Sequence, residues 1–81
     1  MKIALIQQHA TRDREDNIAR GLKALEEAVS HGAQLIAFPE LAFDFFLPQY
    51  PVSSRALNLA EPIPGPTTEI FSRKAKQFNV V

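Results

Sequence analysis

The chain has 81 residues, 46% of them apolar, with nine basic and nine acidic side chains that cancel and no cysteine. That length makes one small domain at most, the apolar share is too high for a disordered chain, and the balanced charge gives no footprint for nucleic acid or an anionic membrane. Without cysteine these residues hold no disulfide, thiolate metal site or nucleophilic thiol; with no apolar run long enough to cross a bilayer and no basic-then-apolar leader, the cytoplasm is the expected compartment.

Lys2 to Gln8 reads as a strand, carried by Ile3, Ala4, Leu5 and Ile6. Thr11-Arg12-Asp13 is turn-like, and Asp13 is a good N-cap, with Asp16 in the first turn where negative charge suits the helix dipole. Ile18, Leu22, Leu25 and Val29 recur at helical spacing and make an amphipathic face, with Arg20, Lys23, Glu26 and Glu27 mostly outside. Gly21 inside that helix costs about 1 kcal/mol relative to alanine, so a close packing partner is expected there. His31 and Gly32 fit the last turn and the left-handed position after it.

A second strand, Gln34 to Phe38, follows at once. Strand, helix and strand predict a βαβ unit with parallel strands and a right-handed crossover. Four consecutive apolar residues, Leu35-Ile36-Ala37-Phe38, predict burial on both faces. Pro39 cannot donate to a ladder, so pairing should stop there and Glu40 should stand just past the strand's carboxyl end. A carboxylate in such a place is costly to desolvate, which raises its pKa toward that of a working base. Leu41 to Pro64 is a long irregular stretch with Phe43, Phe45, Phe46 and Tyr50, and such stretches are usually functional or mobile. Gly65-Pro66-Thr67-Thr68 opens a second helix, with Thr67 as the expected cap, an apolar face of Ile70, Phe71, Ala75 and Phe78, and Asn79 as its end. Val80-Val81 reads as the start of a third strand. Two strands and two helices leave a sheet face and an edge open, so the 81 residues are expected to be an incomplete amino-terminal segment of a single larger domain.

Each candidate site residue has a plain alternative. Glu40 reads either as a general base or as a loop carboxylate paired with Lys or Arg. His9 and His31 fit surface or capping positions, and two histidines make no metal site. Phe43, Phe45 and Phe46 read equally as pocket lining or as satellite core under a loop. The glycines are isolated, so no nucleotide fingerprint is present, which weighs against a nucleotide-binding α/β domain.

Taken in order, Ile3-Ala4-Leu5-Ile6-Gln7-Gln8, Asn17 opening a helix, Gly32 to Leu41 with its Phe38-Pro39-Glu40-Leu41, and Pro62-Ile63-Pro64-Gly65-Pro66-Thr67 resemble the start of the carbon–nitrogen hydrolase, or nitrilase, superfamily. Within it, Glu40-Leu41-Ala42-Phe43 with Phe46 and Pro48-Gln49-Tyr50 resembles N-carbamoyl amino acid amidohydrolases. Leu59 to Pro66 resembles N-carbamoylputrescine amidases. The resemblance implies a nitrilase-like α/β fold, of which this chain is the amino-terminal part: a four-layer α-β-β-α sandwich. It implies hydrolysis of a non-peptide C–N bond of a small amide or N-carbamoyl substrate by a Glu-Lys-Cys set, with no metal or organic cofactor. Glu40 matches the family's general base, and Phe46 falls at the aromatic position that walls the substrate pocket. The lysine and cysteine have no match here; Lys74 and Lys76 fall on the second helix, before the third strand, and are not assigned the role. The family often forms homo-oligomers. The alternative is a non-catalytic remnant or interaction module that keeps the βαβ unit, motivated by the missing cysteine.

Overall fold

The computed structural model describes residues 1–44 and 59–81. Four elements follow in the order β1 (Ile3–Leu5), α1 (Arg14–Ser30), β2 (Leu35–Ala37) and α2 (Pro66–Phe78). The strands pair in parallel with Ile3 opposite Leu35, Ala4 opposite Ile36 and Leu5 opposite Ala37. The βαβ expectation is met. Both strands are shorter than the sequence predicts, for local reasons. Ladder bonding ends where Ile6 N–H donates to the Ala37 carbonyl at 2.8 Å. Beyond that point Gln8 turns its side chain to α1 on one side, and on the other Pro39 has no N–H to offer.

The anticipated third strand begins as expected. Val81 N–H donates to the Gln34 carbonyl at 3.0 Å, and Ile36 N–H donates to the Val81 carbonyl at 2.8 Å. This is the bonding of a parallel bridge opposite Leu35, so β2 lies between β1 and Val81.

Both ends of α1 are closed by local chemistry. The Asp13 carboxylate accepts from Asp16 N–H at 3.1 Å, with Glu15 and Asp16 in the first turn. At the other end Gly32, at φ 87°, lets its N–H reach Val29 O at 2.9 Å and Ala33 N–H reach Ala28 O at 3.0 Å. That pair of bonds is a Schellman termination, and the left-handed residue it needs is the expected glycine.

The start of α2 differs from the expectation. Gly65 is the N-cap and gives no side-chain bond, Pro66 follows it, and Thr67 lies inside the first turn. The cap is supplied instead by Glu61, which accepts from Thr67 N–H at 2.9 Å and from the Thr67 hydroxyl at 2.6 Å. A carboxylate takes up two donors at a helix start better than a threonine already within the turn. Asn79, left-handed at φ 54°, ends the helix as expected.

Both helices lie on one side of the sheet. Phe38 and Phe43 meet at 5.4 Å, Phe38 and Phe71 at 5.4 Å, and Phe43 stacks on Phe71 at 4.8 Å. Leu25 and Ala33 are the buried apolar core residues among those described. Lys74 of α2 reaches Glu26 of α1 at 3.0 Å across the outside of the layer. The opposite sheet face is bare: Ile3 is 56% exposed, Leu5 80% and Val81 79%. Within the described part of these 81 residues the second strand is therefore covered on one face only. Leu35, Ile36 and Ala37 are half-buried, because both helices cover the same face. The expected open face and open edge are present among the described residues, where nothing pairs with the outer edge of β1.

Candidate functional site

β2 delivers the chain to a short turn at residues 40–43. Leu41 is left-handed there, at φ 51°, and Asp44 N–H reaches back to Leu41 O at 3.4 Å. Glu40 opens this turn, three residues beyond the last strand residue, Ala37, and it is exposed. The placement at the carboxyl end of a parallel strand is the one expected.

Three residues of α1, spaced along one stripe, hold the turn. Asn17, with no exposed surface, donates from Nδ2 to the Phe43 carbonyl at 2.9 Å and to the Thr11 carbonyl at 2.7 Å. Its Oδ1 accepts from Thr11 N–H at 2.9 Å and from Arg20 at 2.7 Å, and its backbone carbonyl accepts from Gln8 at 3.0 Å. A buried amide is tolerable only with its donors and acceptors engaged, and here they are. One turn earlier, Arg14 faces Asp44 at 3.4 Å. One turn later, Gly21 leaves space for the Phe43 ring: a Cβ at this glycine would fall 2.7 Å from Phe43 Cε1 and 3.5 Å from Phe38 Cε1. This is the close partner that a glycine inside the helix calls for.

Arg14 also crosses to the other side of the segment 45–58. It donates to the Leu59 carbonyl at 3.1 Å and pairs with Glu61. The Thr67 hydroxyl, then the Thr67 N–H and then the Arg14 guanidinium hold the Glu61 carboxyl below the usual glutamate range, against an opposing push from burial. Sequence reading named none of Arg14, Asn17 or Glu61 as a functional candidate. The signal available was a polar residue, Asn17, one position before the apolar stripe that starts at Ile18.

Of the other candidates, Phe43 packs in the aromatic group with Phe38 and Phe71 and is half-buried. Phe45 and Phe46 lie outside the described residues. His9 is exposed, and His31 is a helix-end residue whose Nδ1 lies 2.8 Å from the Glu27 carbonyl. Among the described residues no group of three His, Cys, Asp or Glu could hold a metal ion, and no helix is long and apolar enough to cross a membrane.

The family model described as Carbon-nitrogen hydrolase matches residues 2–81, and the chain belongs to that family. It is similar to omega-amidase NIT2-A of Xenopus laevis, with 33% identity over 98% of this chain and 27% of that protein. It is similar also to omega-amidase NIT2 of Homo sapiens, with 30% identity over the same shares of the two chains. The chain thus spans about a quarter of the length of the curated relatives it matches. No solved structure matches it. These relatives bear omega-amidase names, whereas the branch resemblance in the sequence is to hydrolases of N-carbamoyl compounds.

Proposed function

We propose that these 81 residues are the amino-terminal part of one carbon–nitrogen hydrolase domain that cleaves a non-peptide amide C–N bond, with Glu40 as general base. The observation that carries the reading is the place of Glu40, in a turn at the carboxyl end of a parallel strand, within a chain that matches the family from residue 2 to residue 81. In open α/β sheets that end of the strands is where ligands bind.

The chemistry divides as follows. An amide carbonyl is a poor electrophile, and a covalent route splits one hard step into two. Glu40 takes the proton from a cysteine thiol, the thiolate adds to the carbonyl carbon, and a lysine ammonium stabilises the resulting oxyanion. Glu40 then returns the proton to the leaving nitrogen as the C–N bond breaks, and it activates the water that hydrolyses the thioester. Positioned acid–base action of this kind contributes about 10²–10⁴-fold. The lysine and cysteine come from outside these 81 residues, and Phe46 walls the pocket.

The complete domain is a four-layer α-β-β-α sandwich, in which a second sheet covers the bare face of Ile3, Leu5 and Val81. The substrate is a small linear amide. The omega-amidase relatives favour a free amide, and the Leu59–Pro66 resemblance favours an N-carbamoyl group. The full-length protein acts as a homo-oligomer in the cytoplasm.

Ammonia release by the full-length protein from a panel of linear ω-amides and N-carbamoyl amines or amino acids tests the reading. Turnover of either class is expected. Turnover of neither, by a folded protein, contradicts it and favours the non-catalytic module.

A further inference from the structure

We propose that Asn17 is a positioning residue for Glu40: its side-chain amide fixes the turn that carries the carboxylate, and the rate of the reaction depends on that hold. The inference rests on the reading of Glu40 as the base.

Among the described residues Glu40 is exposed, and what they contribute to the place of its carboxylate is the backbone of its turn. Its place is set by the two ends of its turn. The front end is anchored by β2, whose last residue, Ala37, accepts from Ile6 N–H at 2.8 Å. The back end leaves the sheet and has one fully buried polar anchor among the described residues, the 2.9 Å bond from Asn17 Nδ2 to the Phe43 carbonyl. Asn17 is rigid in turn. Its second N–H is held by Thr11, its oxygen by Thr11 and Arg20, and its backbone by α1 and Gln8. The amide therefore joins the loop after β1, the helix and the glutamate turn at a single point. Neighbours on the same stripe act on the same turn: Arg14 faces Asp44, and Gly21 seats the Phe43 ring. A displacement of the turn by about 1 Å moves the base off the thiol proton, and misplacement of that size costs about 10²-fold in rate.

The test uses the full-length protein and two variants. Asn17→Ala removes every side-chain bond. Asn17→Asp keeps the size and the acceptor but loses both donors, so it remains informative where the alanine variant does not fold. Amide hydrogen exchange is expected to speed up by about tenfold or more at Asp44, whose N–H is held by the Leu41 carbonyl within the turn, with Leu22 to Val29 of α1 within about twofold of the parent. Turnover is expected to fall by about 10²-fold in kcat with KM within about twofold, since binding is not the step affected. Unchanged exchange in the turn overturns the proposal, as does a uniform rise through turn and helix or an unchanged kcat beside a loosened turn. Glu40→Gln is run in parallel. If it retains full kcat, the general-base reading fails, while the exchange pattern still decides whether Asn17 holds the turn.

Discussion

Arg14, the first residue of α1, forms an ion pair with Glu61, the carboxylate that caps the start of α2. One contact thereby fixes the beginnings of both helices against each other. Arg14 also faces Asp44 at 3.4 Å and donates to the Leu59 carbonyl at 3.1 Å, so it meets the chain on both sides of the segment 45–58. The arginine fork suits this work because it presents several donors in a fixed plane.

Coupling between the two residues follows. Arg14→Ala and Glu61→Ala each lower the unfolding midpoint of the full-length protein, and the double variant falls by less than the two single losses combined. Losing Arg14 matters less once Glu61 is gone. A double-mutant cycle by chemical denaturation measures this, and strict additivity contradicts it.

The pH dependence has a definite sign. Glu61 is held below the usual glutamate range in the folded protein, first by the two Thr67 bonds and then by Arg14. Its ionised form therefore contributes stability that is complete above the unfolded-state pKa and is lost as pH falls through the lower folded-state value. Unfolding midpoints taken from about pH 6 down to about pH 3 should fall in the parent more steeply than in Glu61→Gln. Parallel curves count against the assignment.

Two glycines separate by what an added Cβ meets. At Gly65 it would fall 2.3 Å from the Pro62 carbonyl oxygen, a backbone atom that cannot swing aside. At Gly21 it would fall 2.7 Å from the edge of the Phe43 ring. In α1 an alanine gains about 1 kcal/mol in helix propensity, against a typical overpacking cost of about 1–3 kcal/mol. Gly21→Ala is thus expected to destabilise by about 0–2 kcal/mol and Gly65→Ala by more, both read from denaturant midpoints. A stabilised Gly65→Ala is the contrary result.

Much of this frame is legible in the sequence, and the exceptions have physical causes. The cap at Asp13, the left-handed Gly32 and Asn79, the parallel strands and the start of a strand at Val81 all follow from local residue chemistry. The cap of α2 does not, because Glu61 reaches Thr67 through a turn that no periodicity encodes. Burial of β2 is only half visible for a different reason: apolar runs report what a strand can bury, and within these 81 residues both helices take the same face. Glu40 is found at its strand end from the apolar run and Pro39, while the hold of Asn17 on its turn shows itself only when Thr11 and Phe43 are brought together in space.

The bare sheet face has a measurable consequence. Ile3 and Leu5 of β1 stand in solvent beside a strand edge that nothing pairs among the described residues. Exposed apolar strands seek partners, so the 81-residue chain expressed alone should self-associate, and Leu5→Lys should reduce that association. Sedimentation velocity checks both. A parent monomer with a sharp cooperative melt contradicts the expectation.

The central claim is that Glu40 removes the proton from the attacking thiol, and single-turnover acylation of the full-length protein tests it most directly. Glu40→Gln keeps the shape of the side chain and removes its basicity. The expected result is a fall in acylation rate of about 10²–10⁴-fold with the fold intact. An acylation rate equal to the parent's would contradict the account.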